Sequence, residues 1–341
     1  MSLTLGKGDE RMFTTRRSAL LLGTAGALVA TLKPFRALAE EAGKKTTDHG
    51  EFPESVFKQM NLRRVKVEIG LDKAFSVVHV SDSHITNVSA EDFEKLDDKT
   101  MEWYMSRSRI FAGGIPGLAA ALLYAKKKEI PLFHTGDLFD FPSQGNLSMV
   151  KRDFAGRDWF FAPGNHEYHG WGPGTPAIRF GQTAQDRAAG RRLFEPYFPN
   201  PFPVASRMIG GVNFVQYDNG GFSDHMGIWQ LERIKKEFAK GVPVVLLCHM
   251  PFFSMELVEQ MTVGKKLTRE QINAGYLQGV PWCNNWGGRV ELLNWLKTQP
   301  LLKAIICGHL HGEYTVDFAP GVKQYVADAN YKGAVYEYTF T

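Results

Sequence analysis

Five short stretches of this chain end an apolar run in residues that bind metals. Asp82 and His84 follow the run 75–80. Asp137 and Asp140 follow 130–134. Asn165 and His166 follow 159–162, by way of Pro163 and Gly164. His249 follows 242–248, and His309 and His311 follow 302–307. Carboxylates, imidazoles and one neutral amide oxygen make a mixed donor set that suits borderline transition-metal ions, and it does not choose among manganese, iron and zinc. His166 adds a group that can give or take a proton near neutral pH. Asp82 and His84 are two apart, as are His309 and His311. On extended backbone the two side chains of each pair point the same way.

Such groups need elements that bring them together. Each apolar run reads as a buried strand, and in an open α/β sheet functional groups gather at the carboxyl ends of the strands. Residues 65–69 alternate and read as a first, edge-like strand. Residues 97–111 have helical character within an insertion-like segment between Ile85 and Ile115. A stronger helix covers 116–128, with Pro116 near its start and Lys126, Lys127 and Lys128 in its last turn, where cations oppose the helix dipole. Further helices are expected over 182–194, 228–239 and 291–298. Gly210 and Gly211 separate two strand-like runs and signal a two-residue hairpin. Residues 168–176 read as a loop at the mouth of the site. From His249 to Arg289 there is no strand signal. After His311, the runs 313–318, 322–327 and 334–340 alternate and read as closing antiparallel strands.

In chain order the five stretches spell Asp-x-His, Gly-Asp-x-x-Asp, Gly-Asn-His-Glu, a lone His after an apolar strand, and Gly-His-x-His. This set, running from Asp82 to His311, resembles the calcineurin-like metallophosphoesterase family. The resemblance implies an α/β fold, a four-layered α/β/β/α sandwich with mixed sheets. It implies two transition-metal ions per chain, with Asp82, His84 and His311 on one, Asn165, His249 and His309 on the other, and Asp137 bridging. The neutral amide of Asn165 would limit the negative charge around the ions and keep them Lewis-acidic. The activity implied is hydrolysis of a phosphate ester, with a metal-bridging hydroxide attacking phosphorus. His166 would protonate the leaving group or stabilise its charge, and Asp140 would orient His166. Family members that are protein phosphatases carry Arg directly after that acid, and Phe141 stands there, which speaks against that substrate class. Members with an iron–tyrosinate pair carry Tyr three residues after the bridging acid. Asp140 holds that place, so the purple type is not expected.

The remaining features bound the setting. Residues 1–39 combine the pair Arg16 and Arg17, a softened apolar stretch over 19–31, and the small-x-small site at Ala37 to Ala39, and they look like a twin-arginine export signal. The apolar stretch is shorter than the roughly 20 residues that span a bilayer, so no stable membrane span is expected. Met12 could also serve as a start. The reading is a periplasmic or secreted protein that meets the export machinery transiently, with a single domain over 40–341. Removing the six basic and two acidic residues of 1–39 leaves 34 of each sign, so no nucleic-acid surface is expected. Cys248, Cys283 and Cys307 are an odd count, and Cys248 and Cys307 at strand ends read as small buried residues. His79 and His134 lie inside expected strands and read as supporting or core histidines, while His49 reads as exposed. His169, His225 and Asn284 are the candidate substrate contacts, with Trp282, Asn285 and Trp286 nearby in sequence. The expected substrate is a small phosphoester. A cyclic-nucleotide or other phosphodiesterase is the alternative to a monoesterase. A non-catalytic metal-binding scaffold of the same fold and a metal enzyme for a non-phosphate substrate are the alternatives of other classes.

Overall fold

A computed structural model of the chain describes residue 58 and residues 60–94, 96–168, 191–192, 194–220, 228–283 and 288–341. The leader, His49, the loop residues 169–176, most of the helix expected over 182–194, and the substrate candidates His169, His225 and Asn284 lie outside the described residues, as do Asn285 and Trp286.

Among the described residues eleven strands form two mixed sheets. The first has the spatial order β1 (Asn61–Val67), β11 (Ala334–Phe340), β2 (Phe75–Val80), β3 (Leu132–His134), β4 (Trp159–Phe161). The second runs β5 (Val204–Ile209), β6 (Val212–Tyr217), β7 (Val244–Leu247), β8 (Leu302–Cys307), β10 (Val322–Val326), β9 (Tyr314–Ala319). In the first sheet β2, β3 and β4 are parallel. In the second β6, β7, β8 and β10 are parallel, with β5 and β9 as antiparallel edges. The strands that carry Asp82, Asp137 and Asn165 therefore end on one side of one sheet, and those that carry His249 and His309 end together on the other sheet.

Continuous apolar runs are what a sheet covered on both faces requires, because successive side chains point to opposite faces. Val77, Phe133, Phe160, Val245 and Ile306 join a cluster shared by both sheets. Their chain neighbours face away from it: Val78, Leu132 and Phe161 toward the helices on the first sheet, Leu246 and Ile305 toward those on the second. After α1 (Ala90–Glu94) and α2 (Asp98–Ile110), helices α3 (Gly114–Lys128) and α4 (Gln144–Asp153) cover the first sheet. Helices α5 (Ile228–Phe238), α6 (Met255–Gly264) and α7 (Gly288–Leu296) cover the second. The four layers follow in the expected order of helices, sheet, sheet, helices.

The runs 313–318 and 322–327 form the antiparallel pair β9–β10, and 334–340 does not join them. As β11 it crosses to the first sheet, antiparallel to β2 and parallel to β1. The stretch after His249 holds a helix, α6, whose start is capped by the Ser254 side chain accepting from the Leu257 amide, and which buries Leu257, Val258 and Met261. The expected hairpin is present, with Gly210 and Gly211 both at positive φ (57° and 83°), the conformation its tight turn demands. Among the described residues no single helix is long and apolar enough to cross a membrane.

Helix α3 sits unusually close to the loops that carry the site. A Cβ on Gly117 would fall 2.4 Å from the Asn330 carbonyl oxygen, and one on Gly114 would fall 2.3 Å from that of Ser83. Only glycine permits this approach, and it presses the helix onto the residues beside Asp82 and Tyr331.

Candidate metal centre

The loops after the strands are strained in one consistent way. Asp82, His84, Asp137, His309 and His311 all have left-handed backbone, with φ of 55°, 47°, 53°, 72° and 48°. Among the described residues only Glu129 and Lys266 share that conformation without being glycine. L-residues avoid it, and held strain of this kind collects at functional sites. It also corrects the sequence reading of the two-apart pairs: they converge from turned backbone, not from extended strand. The strain is held by continued pairing beyond the strands. The amides of Asp82, His84 and Ile85 donate to the carbonyls of Gly136, Asp137 and Leu138 at 3.0, 2.9 and 2.9 Å. The Gly308 amide donates to the His249 carbonyl at 3.0 Å.

Each key carboxylate has one oxygen fixed by backbone and the other turned inward. Asp82 Oδ2 accepts from the His309 amide at 2.8 Å, while Oδ1 is buried with no hydrogen-bond donor and stands 3.2 Å from His311 Nε2. Asp137 Oδ1 accepts from the His166 amide at 2.9 Å, while Oδ2 stands 3.1 Å from His249 Nε2 and 3.6 Å from His84 Nε2. The imidazoles follow the same plan, with one nitrogen tied outward and the other turned in. His249 Nδ1 bonds the Thr135 carbonyl at 2.7 Å, His309 Nε2 the Gly275 carbonyl at 2.7 Å, His84 Nδ1 the Asp140 carboxylate at 2.9 Å, and His311 Nδ1 the Tyr331 hydroxyl at 3.3 Å. Histidines that hold metals are oriented in this manner. The inward atoms form two groups, Asp82, His84, Asp137 and His311, and Asp137, His249 and His309, each with atoms within 4.8 Å of one another. Asp137 stands in both. The Oδ1 of Asn165, a residue only 6% exposed, is buried with no hydrogen-bond donor. An orphaned amide oxygen is costly to bury, and a cation is the partner its chemistry suits. The residues present fit metal cations.

Charge balance supports that fit. Burial opposes ionisation of Asp82 and Asp137, yet the imidazoles around them hold both carboxyls well below their usual range. Burial likewise opposes charge on His84 and His249, but the neighbouring carboxylates win and push them up to about 10 and about 9. His309 is pushed down to about 4 by burial and by the charge of His249. The carboxylates thus favour positive charge on His84 and His249, charge that bound cations would replace.

His166 and Asp140 meet in an unexpected arrangement. His166 Nδ1 donates to the backbone carbonyl of Asp140 at 2.7 Å. The Asp140 carboxylate is directed at His84 and at Arg107, whose Nε and Nη2 donate to Oδ2 and Oδ1 at 2.7 and 2.6 Å. The expected orienting contact thus exists, but through the main chain. Cys248 and Cys307 are buried and free, as expected, and burial pushes the Cys248 thiol up to about 12. His79 and His134 are buried and bond Thr135 and Ser83, at 2.8 and 3.0 Å. Trp282 donates its indole N–H to the Ile272 carbonyl and meets Phe253 edge-on, a packing role.

Sequence reasoning missed several supporting residues. Arg107 is one, and Phe111 is another, lying flat on the His84 ring with centroids 4.3 Å apart at 8°. Glu167, the fourth residue of the Gly-Asn-His-Glu motif, received no role. It accepts from the amides of Gly164, Asp137 and Phe139 at 2.6, 2.9 and 3.2 Å and so ties the Asp137 loop to the Asn165 loop. Burial and the charge of Asp137 push its carboxyl up to about 7. Asn219 accepts from the amides of His249 and Met250 at 3.0 and 3.1 Å, which fixes the turn at His249.

Residues 75–313 match the calcineurin-like phosphoesterase family, and the chain belongs to that family. It is accordingly a phosphoesterase. No curated protein matches the sequence. Among solved structures the chain is similar to phosphopantetheinyl hydrolase from Mycobacterium tuberculosis, at 13% identity and a TM-score of 0.40, over 79% of this chain and 91% of that one. It is similar to a dimetal phosphatase from Danio rerio at 13% identity and a TM-score of 0.38, over 76% and 88% of the two chains. It is also similar to a purple acid phosphatase from yellow lupin at 14% identity and a TM-score of 0.42, over 76% of this chain and 44% of that one.

Proposed function

We propose that this protein is an exported, binuclear metal-dependent hydrolase of small phosphate esters. The observation that carries the reading is Asp137, whose carboxylate stands in both donor groups, together with the buried, unsatisfied oxygen of Asn165. Asp82, His84 and His311 would hold one ion, and Asn165, His249 and His309 the other. Two such ions supply Lewis acidity toward the phosphoryl oxygens and an activated water at neutral pH. The chain's own part is to fix geometry and handle the proton. Thr135, Gly275, Asp140 and Tyr331 aim the four imidazoles. His166, with Nδ1 donating to the Asp140 carbonyl, would pass a proton to the leaving oxygen through Nε2.

The export reading rests on the paired arginines Arg16 and Arg17 and the small-residue site at Ala37 to Ala39, with a single domain over 40–341. Delivery of folded protein would allow metal loading before export, with the export machinery as a transient partner. A pair of assays tests the catalytic reading: p-nitrophenyl phosphate against bis-p-nitrophenyl phosphate, each with manganese and then with chelator. Turnover of the monoester supports a phosphatase or nucleotidase, and turnover of the diester supports the phosphodiesterase alternative. Metal bound without turnover of either would leave the site standing with selective loops after Glu167 and His249, and silence across a wider phosphoester panel would favour a metal enzyme for a non-phosphate substrate or the scaffold.

A further inference from the structure

Helix α2 reaches into the site at two points. Arg107 and Phe111 are four residues apart and so share a face of the helix end. Arg107 grips the Asp140 carboxylate with two parallel hydrogen bonds, at 2.7 and 2.6 Å, the strongest form of arginine–carboxylate contact. Phe111 stacks on His84, and the Arg107 guanidinium lies 4.6 Å from the Phe111 ring centre. One short segment therefore touches both Asp140 and the ring that Asp140 orients.

Asp140 is completely buried and serves two masters. Its Oδ1 accepts from His84 Nδ1 at 2.9 Å, and its carbonyl oxygen accepts from His166 Nδ1 at 2.7 Å. The same Oδ1 lies only 3.3 Å from His166 Nδ1. A carboxylate freed of its cation has an alternative within easy reach: it can swing onto His166 and release His84. The fork of Arg107 blocks that swing by fixing both carboxylate oxygens at once. We infer that Arg107 is a positioning residue that holds Asp140 on His84 and leaves His166 to the main-chain carbonyl, so that α2 sets the geometry of both the metal ligand and the proton donor. This inference builds on the metal-centre reading of the same site.

The test is a set of variants on α2, read for metal affinity and for turnover. Arg107→Ala should weaken binding of manganese to the metal-stripped protein by about 10-fold or more, the usual scale for residues that orient ligands. It should lower kcat while KM changes by less than about 3-fold. Millimolar guanidinium should restore part of both losses, since the Arg107 side chain is 21% exposed and its place can be reached from solvent. Arg107→Lys, which keeps the charge but not the fork, should stay impaired. Arg109→Ala, an exposed change of the same charge on the same helix, should match the unaltered protein. A variant at Arg107 with unaltered metal affinity and kcat would overturn the inference, and so would full function of Arg107→Lys. If Arg107→Ala fails to fold, Arg107→Lys with added guanidinium carries the same test. Metal affinity is read without substrate. The inference can therefore fail while phosphoester turnover stands, and hold where the substrate panel is silent.

Discussion

The Nδ1 nitrogen of His166 lies 2.7 Å from the backbone carbonyl oxygen of Asp140. A carbonyl only accepts, so Nδ1 carries a hydrogen, and the proposed proton exchange would run through Nε2. His166→Ala should lower kcat by about 10²- to 10⁴-fold, the usual range for a general acid. The loss should be larger for an alkyl phosphate than for a p-nitrophenyl ester, whose leaving group departs well without a proton. Metal content should stay unaltered. Equal losses on both esters would show that His166 acts by some route other than proton donation.

Asn165 holds an orphaned side-chain oxygen, proposed as a ligand together with His249 and His309. Asn165→Leu keeps similar bulk and removes that oxygen. On the two-ion proposal, titration of the metal-stripped protein should then show one ion bound tightly where the unaltered protein would bind two. Two equally tight ions in the variant would remove Asn165 from the ligand set.

Gly117→Ala sets helix propensity against packing. Alanine favours a helix by about 1 kcal/mol over glycine, but its Cβ would meet the Asn330 carbonyl oxygen at 2.4 Å. Overpacking should win, with a net loss of about 1–3 kcal/mol in urea melts. Gly156→Ala meets nothing within 4 Å and strains only a positive φ of 67°, so it should cost about 1–2 kcal/mol and leave metal affinity alone. Gly117→Ala should also weaken metal binding, because Asn330 precedes Tyr331, the partner of His311.

Acid should expose the buried neutral histidines. Burial pushes His79 down to about 3, while the unfolded chain titrates near 6.5. Between those values the unfolded state binds more protons, so this stabilising contribution is complete above pH 6.5 and fades as pH falls toward 3. At pH 5 the loss is about 2 kcal/mol for this residue. His79→Gln keeps a donor for Thr135 and does not titrate. Going from pH 7 to pH 5, the variant should lose about 2 kcal/mol less stability than the unaltered protein, measured by denaturant melts at each pH. Identical pH dependence would mean that His79 is charged in the fold.

The sequence carried most of the centre because each donor stands at the end of an apolar run. Asp82, Asp137, Asn165, His249 and His309 were each legible at the end of an apolar run, but it was not legible that the first three end on one sheet and the last two on the other. What brings them into contact was less legible. The left-handed backbone at Asp82 or His311 goes against residue preference, and only tertiary pairing sustains it. Arg107 lies 33 residues before Asp140, and nothing in local spacing says which helix face will meet that acid. Glu167 had a legible type but not a direction: its carboxylate faces three amides. Helix α6 did leave a signal in Ser254, Leu257, Val258 and Met261, spaced as a capped amphipathic turn. The crossing of β11 left none, since alternation marks a strand but not its sheet.

The central claim is that Asp137 joins two ions into one hydrolytic centre. Its most direct test is to titrate the metal-stripped protein with manganese while following bound metal and phosphoester turnover in the same samples. Turnover should rise as the second ion per chain fills, and chelator should abolish it. Turnover that persists in the stripped protein, or that is complete with a single ion bound, would contradict the account.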